Sequence, residues 1–309
     1  MTTSPSPLPV VVGIDGTTRS IEATRWAAHE AARRGTGLRL MHAGYPIYLH
    51  PLPDQRGVAD GAMAEAYAAA TEAEPALNIE TVEAIDRPAH YLLEHSDRAA
   101  MIVLGTHAGN SIAGALFGSI AQTVAAHAMC PVVVIGEPQP AEYAATGPVV
   151  VGVSNHPGGI EALHFAFAAA AETGADLIAV RSWGDVDWGN GRLGYNTQLF
   201  AEWRRLEGEL LDTCLAGVES QFPKVTVHRR LEGERADHAL QRVARGARLL
   251  VVGTHRRDDH WFSRLGPAPS WLMHRSPCPL AIVGQPHSLP AETADPLGGS
   301  SVREPAHAS

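Results

Sequence analysis

The sequence carries one pattern of short motifs twice, and this internal repeat limits the possible folds more than any other feature. The run VVGID at 11–15 returns as VVGVS at 150–154, and MIVLGTH at 101–107 returns as LLVVGTH at 249–255. The offset is 139 residues for the first pair and 148 for the second, so the second copy carries a net insertion of nine residues. A repeat of this length can enclose its own core. The chain is therefore predicted to fold as two homologous domains in tandem.

The composition of the segments outside the repeat sets the predicted boundaries. The first domain is placed at 8–136 and the second at 148–285. Residues 137–147 between them are punctuated by proline and glycine, which is typical of a linker. Residues 286–309 are rich in serine, proline, alanine and glycine and have little to bury, so they are predicted to be a disordered tail.

Within each copy, short β-branched runs alternate with longer alanine-rich stretches of helical character. This alternation is typical of βαβ units and predicts an α/β fold, in which each domain is a five-stranded parallel sheet flanked by helices. A helix that starts near Ile21 is predicted to stop at Gly35, which can take the left-handed conformation of a helix end. The strands of the first copy are predicted at Val10–Ile14, Leu38–His42, Ile79–Val82, Met101–Leu104 and Val132–Ile135.

Charge and composition exclude several classes of partner. The net charge of −9 disfavours nucleic acid and membrane surfaces, because both are polyanions. No apolar stretch is long enough to cross a bilayer, and the first residues lack the basic start and apolar run of a secretory signal. The three cysteines form no C-x-x-C pair, and the 16 histidines include no H-E-x-x-H motif. A cytoplasmic protein without a metal site, a nucleic-acid partner or a membrane partner is predicted.

The ends of the first and fourth strands are predicted to form a ligand site. Parallel strands end at one edge of the sheet, and ligands bind where the strand order reverses. The first strand ends at Asp15, and the fourth continues into the run GTHAGNS at 105–111, with Gly118-Ser119 at a later helix start. Small residues let backbone N–H groups approach a phosphate, and a helix N-terminus favours an anion. Asp15 has the chemistry to accept from a ribose hydroxyl or an adenine amine, although an aspartate at this place also serves as a turn or cap residue.

At these residues the chain resembles the universal stress protein family. Nucleotide-binding members of that family carry G-x2-G-x9-G-[ST] after the fourth strand and an aspartate at the end of the first. Here Gly105 is followed after two residues by Ala108 in place of the second glycine, and Gly118-Ser119 follows after nine more residues. A Cys-Pro pair precedes the last strand of each copy, and the resemblance covers both copies.

The resemblance implies two Rossmann-like domains that bind ATP, with or without Mg²⁺, and that pair through their last strands as an intramolecular pseudo-dimer. The strands at 132–135 and 280–283 would then lie antiparallel and close an exposed apolar edge. It also implies a nucleotide-dependent regulator of the stress response, with an unidentified regulatory protein as partner and a homodimer as a further assembly. The implied binding residues are Gly13, Asp15, Ala43, Gly105, Thr106, His107, Ala108, Gly109, Asn110, Ser111, Gly118, Ser119 and Ile120.

The second copy departs from the family pattern more than the first. Ser154 stands at the aspartate position, Arg256 at the second glycine, and Gly266-Pro267 where Gly-Ser would be. Pro267 lacks an N–H, so this helix start has one donor fewer. Only the first copy is therefore predicted to bind nucleotide well, and a weak second site through Arg256 stays open. In the first copy, the methyl group of Ala108 would cost about 1 kcal/mol if that position needs a positive φ.

Two other functions stay open at this point. One is an interaction scaffold of the same fold that binds no nucleotide, and the other is a weak ATPase or another enzyme of adenine nucleotides. The sequence contains no G-x-S-x-G elbow and no G-x-x-x-x-G-K-[ST] loop. The chain is therefore predicted not to be an enzyme, although slow ATP hydrolysis stays open.

Overall fold

All ten strands of the described chain join one continuous sheet. The computed structural model describes residues 7–44, 55–106, 117–136, 146–184, 197–254 and 265–284. The strand order is β3-β2-β1-β4-β5-β10-β9-β6-β7-β8, so the second half repeats the order of the first in reverse. The strands are β1 Val10–Gly13, β2 Leu38–Gly44, β3 Ile79–Ile85, β4 Met101–Gly105, β5 Val132–Ile135, β6 Val149–Gly152, β7 Leu177–Ser182, β8 Val227–Glu232, β9 Leu249–Gly253 and β10 Leu280–Val283.

The helices of the described residues cover both faces of this sheet. The buried residues of α1, α2, α5 and α6 belong to one apolar cluster, and those of α3, α4, α7 and α8 to the other. None of these helices combines the length and the apolar character that a membrane crossing requires. The helices are α1 Thr18–Arg33, α2 Gln55–Ala73, α3 Pro88–Glu94, α4 Phe117–His127, α5 Pro157–Thr173, α6 Thr197–Glu219, α7 Ala236–Val243 and α8 Pro267–Leu272.

Helix α1 shows how the local sequence sets these elements. Thr17 caps its start, because the Thr17 hydroxyl accepts from the backbone N–H of Ser20 at 3.2 Å. The face turned to the sheet carries small buried residues such as Ala27 and Ala31, which let the helix backbone approach the strands closely. Gly35 follows the last turn with φ +63°, as predicted for the residue that ends this helix.

The two halves meet through their last strands, which pair antiparallel. Leu280 lies opposite Val134, Ala281 opposite Val133, and Ile282 opposite Val132. Val133 and Ala281 occupy equivalent positions of the repeat, so a pseudo-twofold axis passes between them. All other strand neighbours are parallel. The predicted fold class, with its tandem domains and its intramolecular pseudo-dimer, is confirmed.

The Cys-Pro pairs before β5 and β10 serve packing. Cys278 is buried, and Cys130 is half-buried. Burial raises the pKa of both thiols to about 12, so neither is a thiolate at neutral pH. Both cysteines pack with the cluster on the α3, α4, α7 and α8 face.

Candidate functional site

A cavity of about 530 Å³ lies at the carboxyl ends of the strands in the first half. It opens where β1 and β4 are neighbours, which is the point at which the strand order of this half reverses. Most of its wall is apolar, with a few polar groups at the rim. The residues that line it are Gly13, Ile14, Asp15, Met41, His42, Ala43, Arg87, Pro88, Ala89, Tyr91, Leu92, Leu104, Gly105, Ser119, Ile120 and Ala121.

Asp15 is exposed at the mouth of this cavity and also organises the start of α1. Its Oδ1 accepts from the backbone N–H of Thr17 at 3.0 Å and from the Thr17 hydroxyl at 2.6 Å. The carboxylate is thus held in one orientation by the residue that caps the helix. A carboxylate oxygen has several acceptor positions, so this turn and a contact to a ligand hydroxyl are compatible.

His42 lines the cavity beside Ala43, although the sequence predicted only Ala43. The His42 Nδ1 lies 2.8 Å from the carbonyl oxygen of Ile14, and donates to it across the ends of β2 and β1. In the neutral ring this leaves Nε2 as an acceptor. The contact also ties together the two strand ends that form the floor of the cavity.

The start of α4 forms the opposite wall. Ser119 and Ile120 line the cavity from the first turn of this helix, and Gly118 lies beside them in the same turn. Backbone N–H groups in a first helical turn have no acceptor within the helix, and the helix dipole is positive at this end. This is the part of the cavity wall best suited to an anionic group.

Gly105 lines the cavity, but packing accounts for the absence of its side chain. A Cβ at Gly105 would lie 2.6 Å from the carbonyl carbon of Arg19 and 2.8 Å from the backbone N of Ser20, at the start of α1. In the second half, a Cβ at Gly253 would lie 2.5 Å from the carbonyl oxygen of Gly158 in the matching helix. The glycine therefore lets a helix approach the end of a strand in both copies.

Thr106 is not brought into this cavity. Its backbone N–H donates to the carbonyl oxygen of Ile135 at 2.9 Å and so continues the pairing of β4 with β5. Its side chain is buried and lines a smaller cavity of about 160 Å³ between the two halves. Five other predicted residues lie outside the described residues: His107, Ala108, Gly109, Asn110 and Ser111.

The sequence did not predict the wall formed by α3 and the residue before it. Arg87, Pro88, Ala89, Tyr91 and Leu92 reach the cavity because α3 packs against α4 over the sheet end. They belong to no recognisable motif. The repeat is the signal in the sequence that could have pointed to Arg87, because an arginine stands at 87 and again at the equivalent position 235.

The second half replaces polar positions of the cavity with internal contacts. Arg181 stands where the first half has His42 and donates to the carbonyl oxygen of Val153 at 3.3 Å. Its Nε also pairs with Glu207 of α6 at 2.6 Å, and both side chains are largely buried. Pro267, in place of Ser119, is the first residue of α8, and Gly266 before it makes no side-chain cap.

A His-carboxylate cluster occupies another face of α3 and does not line the cavity. Asp86 Oδ2 lies 3.0 Å from His90 Nδ1, and Glu94 Oε1 lies 3.6 Å from His90 Nε2. The hydrogen bond to Asp86, together with the charge of Glu94, raises the pKa of His90. The two carboxylates face different ring nitrogens, which is the arrangement of an exposed ion-pair chain. The sequence also groups two histidines and two aspartates at 255–260, and these lie outside the described residues.

Comparisons with known proteins agree on one family. A model described as the universal stress protein family matches residues 8–136 and 146–284. Universal stress protein Rv1996 of Mycobacterium tuberculosis is 30% identical to this chain and covers 92% of it, and the match covers 98% of that relative. The crystal structure of a universal stress protein from Archaeoglobus fulgidus is 16% identical with a TM-score of 0.60, over 89% of this chain and 98% of that one.

One half of the chain is also similar to smaller proteins of known structure. A universal stress protein from Archaeoglobus fulgidus in complex with dAMP is 23% identical, with a TM-score of 0.35, and covers 42% of this chain and 98% of its own. The dAMP is a ligand of that protein. Because the family model matches both halves of the sequence, this chain belongs to the universal stress protein family.

Proposed function

We propose that this chain is a nucleotide-dependent regulator that binds ATP in the cavity of its first half. One observation carries the proposal: the cavity of about 530 Å³ brings together Asp15, Ala43, Gly105 and Ser119, which the resemblance to the family had implied from distant parts of the chain. A cavity of this size is within the usual range for a ligand of nucleotide size.

The residues that line the cavity fit the parts of a nucleotide. The apolar wall around Met41, Leu92 and Leu104 suits a planar base, and Asp15 suits a ribose hydroxyl. The first turn of α4 suits a phosphate. Among the described residues that line the cavity, Asp15 is the single carboxylate, so Mg²⁺ would be bound mainly through phosphate oxygens.

The proposal assigns the nucleotide to the first half alone. In the second half, the ion pair between Arg181 and Glu207 occupies the position of His42, and Pro267 offers no N–H at the start of α8. A phosphate there would meet fewer donors, and the buried ion pair would have to be disturbed.

A regulator must pass its ligand state to another part of the molecule. Helix α4 lines the cavity with Ser119 and Ile120, and two residues further Gln122 Nε2 lies 3.4 Å from His274 Nε2 of the second half. A nucleotide that favours one position of α4 would therefore change a contact between the two halves. The proposed role is binding and regulation, with any ATP hydrolysis slow.

The proposal is tested by calorimetric titration of the full chain with ATP. Micromolar binding is expected, and Asp15→Ala should weaken it about tenfold, the loss of one hydrogen bond to a charged group. Ser154→Ala, at the equivalent position of the second half, should leave the affinity unchanged. Asp15→Asn keeps an oxygen for Thr17 and separates the loss of charge from the loss of the turn.

Two results would contradict the proposal. If the wild-type chain does not bind ATP at millimolar concentration, the scaffold function is favoured. If phosphate release with ATP is fast and is abolished by Asp15→Ala, the chain is an enzyme.

A further inference from the structure

Arg87 places an exposed cation on the cavity wall. It follows β3, and its side chain lines the cavity and is exposed. Within the described part of the chain, its guanidinium makes neither a hydrogen bond nor an ion pair; only its backbone N–H is engaged, by Asp86 Oδ1 at 2.5 Å. Pro88 follows and restricts Arg87 to extended backbone, here φ −70° and ψ 120°. The backbone direction that presents the side chain is therefore fixed before any ligand binds.

The second half contains the same arginine with its charge neutralised. Arg235 stands 148 residues after Arg87, and its Nε and Nη2 contact the two carboxylate oxygens of Asp237 at 3.2 and 2.7 Å. Asp237 is 2% exposed. Burial by itself would raise the pKa of Asp237, but hydrogen bonds from Arg235 and from the His238 N–H lower it below its usual value. Asp237 is therefore ionised at neutral pH and holds Arg235.

The residue equivalent to Asp237 in the first half is Ala89, which lines the cavity. The two copies thus share the arginine and differ in the carboxylate two residues later. In the first half, Ala89 supplies no carboxylate for the guanidinium of Arg87, and both residues line the cavity. A guanidinium that is not held by such a carboxylate has its N–H donors available for a bound molecule.

The order of the strands shows which end of a nucleotide Arg87 can reach. Along the sheet edge the sequence is β3, β2, β1 and β4, with Arg87 after β3 and Ser119 in the helix after β4. Strands lie about 4.8 Å apart, so about 14 Å separates the two strand ends. A nucleotide with its phosphates at α4 and its ribose at Asp15 therefore carries its base towards Arg87.

We infer that Arg87 is a base-contacting residue of the cavity, beside the apolar wall, and that it favours an aromatic nucleobase by stacking its planar guanidinium on the ring or by donating to a ring nitrogen. This inference rests on the proposed nucleotide function. A guanidinium has five N–H donors and a flat face that stacks on aromatic rings. Such a contact is worth about 0.5–2 kcal/mol, or about two- to thirtyfold in affinity.

The test compares ATP with adenosine, which has the same base and no phosphate. The full-length wild type and Arg87→Ala are titrated with each ligand by calorimetry. If Arg87 contacts the base, the substitution lowers the affinity for ATP and for adenosine by the same factor of about ten. If the affinity for ATP falls and the affinity for adenosine does not, Arg87 contacts the phosphates and the inference is overturned.

A second variant introduces into the first half the carboxylate that the second half has at the equivalent position. Ala89→Asp places a carboxylate where Asp237 stands, so it should capture Arg87 and weaken adenosine binding about tenfold. Ala89→Asn has nearly the same size without the charge, and should have a much smaller effect. In the Arg87→Ala background, Ala89→Asp should weaken adenosine no further than Ala89→Asn does. Equal effects of the two substitutions in the wild-type background would overturn the inference.

The failure of this inference is distinguishable from that of the nucleotide proposal. If the wild type binds neither ATP nor adenosine, the proposed function fails and this inference fails with it. If the wild type binds both and Arg87→Ala binds both equally well, ATP binding stands and the role of Arg87 alone is overturned.

Discussion

Single residues in the two halves separate what the fold needs from what a ligand needs. Gly105 belongs to the nucleotide motif, yet its missing side chain is explained by the backbone of Arg19 and Ser20. Gly253 makes the same close approach in the half where the rest of the motif has been lost. Arg87 shows the opposite case. Both halves carry the arginine, but only the second half carries the aspartate, Asp237, that pairs with it. Comparison between the copies thus assigns the glycine to packing and the arginine to the ligand.

Alanine at Gly105 should therefore destabilise the fold and not only weaken a ligand. The added methyl would lie 2.6 Å from the carbonyl carbon of Arg19, so strand and helix must move apart, at a cost of about 1–3 kcal/mol. Gly253→Ala should cost a similar amount. The free energies of unfolding are measured by urea denaturation of each variant without ligand.

Gly61→Ala provides the matched control for this pair. Gly61 lies in α2 with nothing within 4 Å of an added Cβ, so alanine should stabilise the helix by about 0.5–1 kcal/mol. If Gly105→Ala and Gly253→Ala leave the unfolding midpoint where it is in the wild type, the close approach is not a constraint on the fold.

At the scale of elements, the sequence predicted the strands well because β-branched runs and their bounding turns are local signals. The predicted ends of the strands were less accurate. Strand β2 was expected to stop at His42 and continues to Gly44, because β3 extends to Ile85 and pairs with it there. Pairing partners of this kind are distant in sequence, so a local pattern does not contain them.

The same distinction applies to the cavity. Asp15, Gly105 and Ser119 lie at strand ends or in a first helical turn, so the order of elements was enough to place them together, whereas Ala43 was implied by the family resemblance. The wall from Arg87 to Leu92 depends on how α3 packs against α4, which no motif in the sequence records. The residues missed are thus those whose position is set by tertiary packing.

The ends of α1 and α5 carry a charge pair that favours the pairing of unlike halves. Arg33 Nη1 lies 2.7 Å from Glu172 Oε2, and these residues occupy equivalent positions of the repeat. In a pair of identical first halves, this position would bring arginine against arginine. The opposite charges therefore favour the contact of the first half with the second.

Glu172→Lys should weaken this contact. The lysine would face Arg33 and also Arg34, whose Nη2 lies 3.7 Å from the Glu172 carboxylate. Because these side chains are partly exposed, a loss of about 1 kcal/mol in the free energy of unfolding is expected, smaller at high salt. Urea denaturation at two salt concentrations measures both effects.

Glu72→Lys is the control for a charge reversal away from the junction. Glu72 lies 3.7 Å from Arg25 within the first half, and both side chains are at least half exposed. Its reversal should change the unfolding free energy by less than about 0.5 kcal/mol. Equal effects at positions 72 and 172 would show that the contact between α1 and α5 contributes no more to the free energy of unfolding than an exposed ion pair within one half.

On the scale of the whole molecule, the two halves share one sheet and, on each of its faces, one apolar cluster. The cluster on the α1, α2, α5 and α6 face contains Val133 of the first half and Ala281 of the second, both fully buried. These two residues face each other where β5 and β10 pair. The halves are therefore expected to unfold together in a single cooperative transition.

Ala281→Asp tests this cooperativity at the pseudo-twofold axis. A carboxylate there would be buried next to Val133 within the apolar cluster of the described residues, so a loss of at least about 3 kcal/mol is expected. The damage falls on the pairing of β5 with β10, so scanning calorimetry should show one heat-absorption peak for the wild type and two for the variant. Ala281→Val, an apolar change at the same position, should keep one peak. Two peaks in the wild type would mean that the halves fold independently, and a nucleotide in the first half would then have no route through the shared sheet to the second.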